Sequence, residues 1–194
     1  VYELNQGGAM ETLHAKHAGD LGMSRSALYR AIRAGEFDRI ARGIYRPADA
    51  PPADFDWIEA AARRPEATIC LTSALAHYDL TDTIPAALDI AIPRGTRAPA
   101  TTSAIAWHHF AAETFELGRT ETTIPGTELT IGIYSPARCI ADAFRLRGDL
   151  GYEIGRDALR EWLRQGGKPA ELMAIASRLP RAKRPILHAL ELLS

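Results

Sequence analysis

Between Ser24 and Arg33 the chain sets three arginines, a tyrosine and two serines at spacings that a helix would gather onto one face. With about 100° per residue and Arg25 placed at zero, Tyr29 falls near ~40°, Arg33 near ~80°, Ser26 near ~100° and Arg30 near ~140°. Ala27, Leu28, Ala31 and Ile32 fill the opposite arc, between about 200° and about 340°. Guanidinium groups can grip guanine edges or phosphates, and hydroxyls can donate to phosphate oxygens. The chemistry expected of this face is therefore non-covalent reading of DNA in the major groove. Its contact residues are Ser24, Arg25, Ser26, Tyr29, Arg30 and Arg33.

Such a face needs elements to hold it. Ser24 is a good helix N-cap, and Gly35 suits the residue just past a C-cap. The expected recognition helix thus runs from Ser24 to Ala34. Its apolar half would dock on a preceding helix, for which Glu11 to Ala18 is the candidate, joined by the turn Gly19 to Met23. Phe37 and Ile40, a turn near Ala41-Arg42-Gly43, then Ile44 and Tyr45 predict a hairpin directly after the helix. This hairpin is the expected wing, with Arg39, Arg42 and Arg46 placed to touch phosphates or the minor groove.

Charge distribution agrees with that assignment. The formal net charge is only −1, yet residues 24–46 hold six basic and two acidic side chains. A compact basic segment on a slightly acidic body is what a nucleic-acid reader joined to another module would show.

The proline-rich stretch 47–54 carries little to bury and reads as a connection. It suggests residues 1–47 as a DNA-binding domain and 54–194 as a second domain. In the latter, Asp54 should cap a helix that Pro65 stops, and Thr72 should cap a short helix reaching Asp79. Strands are expected at 87–92, 103–109 and 128–134, and more weakly at 119–124. Ser135-Pro136 is a cap followed by proline in the first turn. The helix it starts has Cys139, Ile140, Ala143 and Phe144 on one stripe. Further helices are expected near 153–165, 169–178 and 182–193. The fold class is α+β: an N-terminal winged helix-turn-helix, then a mixed domain with a small central sheet and C-terminal helices.

Other residue groups offer less chemistry. Cys70 and Cys139 lie far apart in apolar surroundings and read as buried thiols of a reducing compartment. His14 and His17 have metal spacing but no third ligand nearby in sequence. His108 and His109 neighbour each other on a strand, so they point to opposite faces. His77-Tyr78-Asp79 sits at a helix end. Asp89 on a strand could suggest a nuclease carboxylate, but no lysine follows it on that strand. No phosphate loop or nucleophile elbow is present. The expectation is a non-enzymatic protein without metal or cofactor. It has neither a signal peptide pattern nor a membrane-spanning run, and a cytoplasmic location follows. The basic cluster Arg178 to Arg184 is open to two readings: a solvated connection, or a contact for DNA or an acidic partner.

Met23-Ser-Arg-Ser-Ala-Leu-Tyr-Arg-Ala-Ile-Arg-Ala-Gly-Glu36 and Arg39-Ile-Ala-Arg-Gly-Ile-Tyr-Arg46 resemble the winged helix-turn-helix of the AbiEi family of antitoxins. The resemblance continues more weakly through Ser73 to Leu80, Leu88 to Gly95 and Ile133 to Asp142. It implies an antitoxin that represses its own operon by binding operator repeats upstream through the N-terminal domain. It also implies neutralisation of a cognate nucleotidyltransferase toxin, mainly through the C-terminal domain. An inverted repeat would suit a homodimer on DNA. The alternative is a stand-alone winged-helix regulator whose second domain senses a ligand or dimerises.

Overall fold

The computed structural model describes the backbone of residues 13–14 and the residues 23–50 and 52–193. Two compact packing units are present. The first joins the N-terminal segment through Pro65 with 99–104 and 122–131; the second holds 66–98, 105–121 and 132–194. These units do not follow the 1–47 and 54–194 division that composition suggests, because the helix after the proline-rich stretch groups with the N-terminal segment.

In the first unit, β1 (Leu13–His14), β2 (Phe37–Ala41) and β3 (Ile44–Pro47) form an antiparallel sheet in the order β1-β3-β2. Helix α1 (Arg25–Arg33) packs beside β2. The α+β start of helix followed by hairpin is that of a winged helix-turn-helix. The helix expected over Glu11 to Ala18 is not formed at Leu13 and His14, which pair as a strand with Tyr45 and Ile44. Backbone pairing to the central strand outweighs the local apolar pattern at these two positions. The remainder of that span, the turn 19–22 and His17 lie outside the described residues.

Helix α2 (Phe55–Arg63) completes the unit and packs on β2. As its sequence requires, the Asp54 carboxylate accepts from the Asp56 and Trp57 N–H groups at its start.

The second unit is built on a mixed sheet in the order β6-β5-β4-β8-β7. Its strands are β4 (Thr68–Ile69), β5 (Leu88–Pro93), β6 (Ile105–Phe110) and, through their portions 119–121 and 132–134, β7 (Arg119–Thr123) and β8 (Thr130–Tyr134). β4 runs antiparallel to β5 and parallel to β8, while β5 and β6 are parallel. The short helix α3 (Leu71–His77) follows β4 at once. Thr72, the cap that its sequence suggests, lies inside the helix, and Cys70 holds the cap position without a side-chain bond. The reason is that Cys70 N–H still belongs to the ladder, donating to Asp89 O, and Leu71 turns the chain with a φ of 46°.

Helix α4 (Pro136–Arg145) is the hub of this unit, with every residue from Ala137 to Phe144 buried. It packs against α3, α6 (Tyr152–Arg164), α7 (Pro169–Ala176) and α8 (Lys183–Leu193), with the one-turn α5 (Arg147–Leu150) between α4 and α6. Ser135 caps α4 by accepting from Arg138 N–H. Cys70 and Cys139 are buried free thiols, and burial pushes both well above the usual thiol range.

Among the described residues no helix is long and apolar enough to cross a membrane.

Candidate nucleic-acid interface

Helix α1 is closed at both ends by its own sequence. Ser24 Oγ accepts from Ala27 N–H at 3.1 Å and lies 3.0 Å from Ser26 Oγ. At the other end Gly35 takes a φ of 76°, which a side chain would resist. That conformation lets Glu36 N–H reach Ala31 O and Gly35 N–H reach Ile32 O, so two terminal carbonyls are satisfied. The helix axis and rotation are then fixed by packing. Leu28, 1% exposed, and Tyr45 form a core that Met23, Ile32 and Phe37 flank.

With the apolar arc pinned inward, the opposite arc faces out. Ser26, Arg30 and Arg33 are exposed, and Tyr29 shows 56% of its surface although it is a large aromatic. A ring of that size is left uncovered only at a position that packing does not claim. Arg25 lies in the first turn of the helix.

The hairpin turns through Arg42 and Gly43, with Ala41 opposite Ile44. Gly43 has a φ of 79°, a left-handed value that glycine adopts freely and a side chain resists. Arg42 therefore stands exposed at the tip. Arg39 is also exposed and its Nε donates to Ala41 O at 3.3 Å, across the irregular step of β2.

Arg46 departs from the expected set. It is 3% exposed, and its Nη2 donates to Gly126 O at 2.8 Å. The cause is topological: β3 is the central strand of its sheet, and all four of its residues are buried. An arginine there serves as an internal strut and is not presented to a ligand. In sequence the two hairpin strands look alike, whereas of the two only β2, with the tip, lies at the sheet edge.

The other candidates of the sequence lie in the second unit. Asp89 Oδ2 accepts from Ser73 N–H and Oγ–H, and Oδ1 is 2.9 Å from His108 Nε2. His109, on the opposite face of β6, bonds instead to Thr96 O. Asp89 is thus engaged in fastening α3 to the sheet. Among the described residues no group of three His, Cys, Asp or Glu side chains is arranged to hold a metal ion.

Residues 15–48 match the family described as transcriptional regulator, AbiEi antitoxin. No curated protein matches the chain. Among solved structures the chain is similar to the RV2827C protein from Mycobacterium tuberculosis. The identity is 14% and the TM-score 0.47, covering 96% of this chain and 91% of that one.

Proposed function

We propose that the chain is a non-enzymatic antitoxin that represses its own operon by binding DNA through α1 and the hairpin, and that neutralises a nucleotidyltransferase toxin. The similarity of residues 15–48 to AbiEi transcriptional regulators supports the regulatory role. The observation that carries the DNA-binding reading is the outward arc of α1. Tyr29, Arg30 and Arg33 are exposed on a helix whose other arc is buried, with Arg42 at the tip of the adjoining hairpin. A helix that presents guanidiniums in this way fits the major groove, and a basic hairpin tip fits the backbone beside it.

The test is affinity for the repeats upstream of the chain's own gene, against an unrelated duplex. Arg30→Ala and Arg33→Ala are each expected to weaken specific binding by about 1–3 kcal/mol and to relax the sequence preference. Arg42→Ala should weaken both duplexes alike and lower the salt slope by about one, as loss of a phosphate contact does. Arg46→Ala should act on folding, not on the salt slope, because its side chain is turned inward. Unchanged affinity in both α1 variants would remove the recognition helix from this role.

Neutralisation is tested by co-expressing the full chain with the adjacent reading frame and scoring growth. A fragment beginning at residue 54 is a poor substitute, since α2 would lose β2, the strand it packs on. Rescue by the full chain supports the antitoxin reading. Failure to rescue, with DNA binding intact, leaves a stand-alone regulator.

A further inference from the structure

The basic stretch 178–184 stood in the sequence as a run of charge without a geometry. In the structure three of its cations, Arg181, Lys183 and Arg184, line a cavity of about 960 Å³ in the second unit. Arg147 of α5 and Tyr152 at the start of α6 line it as well, from some thirty residues earlier in the chain, and His188 of α8 completes the polar wall. No carboxylate is among the lining residues. Arg181, Lys183 and Arg184 make no ion pair among the described residues.

Surface cations that serve only solubility are usually interspersed with acidic ones. Here four permanent positive charges converge from separate elements on one concave space, at a distance in sequence from the candidate DNA-reading face. The remaining wall is apolar and includes Leu192, which is 69% exposed and would gain from being covered. A cavity of this volume holds a small organic ligand. Its cations gather around this one concave space, whereas the backbone of a duplex is met by an extended stripe of charge. Convergent arginine and lysine with an aromatic edge suits a phosphate chain attached to a flat ring system.

We propose that this cavity binds a nucleotide-sized organic phosphate, with Arg147, Arg181, Lys183 and Arg184 on the phosphates and Tyr152 beside the ring. The site is independent of DNA reading by α1.

The experiment is calorimetric titration of the full chain with ATP, with inorganic phosphate, and with a short duplex of unrelated sequence. ATP is expected to bind, more weakly as salt rises, and inorganic phosphate at least tenfold more weakly than ATP. The double variant Lys183→Glu with Arg184→Glu should lose at least tenfold in ATP affinity, while Arg30→Ala with Arg33→Ala should leave it unchanged. Arg181→Gly supplies a variant in which folding and binding separate. Arg181 sits at a φ of 63°, a conformation glycine adopts freely, so melting should hold or rise while ATP affinity falls. Absence of ATP binding overturns the proposal, as does ATP binding that the Lys183 and Arg184 changes leave intact. Duplex binding that depends on Lys183 and Arg184 without any ATP binding also overturns it and makes the surface a nucleic-acid contact. Equal affinity for ATP and inorganic phosphate reduces it to an anion hole and overturns the ring subsite.

Discussion

Arg138→Leu is expected to cost about 3–5 kcal/mol of folding stability, read as a lower urea midpoint at unchanged slope. The side chain is fully buried on α4. Its Nε donates to Asp142 Oδ2 at 2.8 Å, one helical turn on, where both partners are sealed from water. Its Nη1 donates to the Thr114 and Leu117 carbonyls at 2.7 and 2.6 Å. The guanidinium also lies over the Tyr134 ring, 4.3 Å from its centroid. Leucine would abandon two carbonyls and half of a buried carboxylate, and leaving such groups unpaired away from water is the costly case. Arg138→Lys keeps the charge but cannot serve three acceptors in a fork, and should lose about 2 kcal/mol.

The double variant Arg138→Leu with Asp142→Leu should recover part of the loss, because it removes the stranded carboxylate together with its partner. Arg145, which donates to the other Asp142 oxygen and is partly exposed, can then turn to water. A single variant within about 1 kcal/mol of the parent would show that the network is not what holds α4.

Arg138 also shows where sequence reasoning runs out. The elements that were legible rest on local chemistry. Ser24, Asp54 and Ser135 cap the helices they precede. Gly35 and Gly43 take the left-handed backbone that their turns require. The angular split of α1 could be read because a helix maps sequence spacing directly onto burial, and Leu28 and Tyr29 fall on opposite sides of it as spaced. Arg46 and Arg138 could not be read this way. Each is an arginine, a type that is mostly exposed, and each is buried by groups remote in sequence. The carbonyl that receives Arg46 is 80 residues away, and those that receive Arg138 are 24 and 21 away. The basic cavity is similar: its cluster 181–184 was visible as composition, but Arg147 and Tyr152 join it only through the packing of α4, α6 and α8. At Leu13 and His14 a pattern that fits a helix is recruited as a strand by the hydrogen-bonding edge of β3 that β2 does not use. The part of the candidate interface set by α1 was therefore readable, while the part set by sheet order was not.

Glu59→Ala is expected to destabilise the first unit by about 3 kcal/mol, and the effect should depend on pH. Glu59 is fully buried on α2, and its carboxylate is a cap for a loop of the same unit. Thr102 N–H donates to both oxygens at 3.0 Å, and Ser103 N–H to Oε2 at 2.8 Å. Arg63, one turn on, donates through Nη2 to Oε1 at 3.2 Å. Burial by itself pushes this carboxyl up, but the hydrogen bonds from Ser103, Thr102 and Arg63 outweigh it and hold the group below its ordinary value of 4.5. A folded-state value below the unfolded one means that Glu59 contributes stability above about pH 4.5, and that this contribution is lost as pH falls through the lowered value. Glu59→Gln preserves the volume but turns one acceptor into a donor facing backbone N–H groups, at about 1–3 kcal/mol. The stability gap between parent and Glu59→Gln should accordingly be widest near neutrality and should narrow on acidification. Denaturant unfolding of the full chain at neutral pH and at pH values descending below 4.5 measures it. A gap that stays constant across that range would mean that the loop is held by contacts other than the ionised carboxylate.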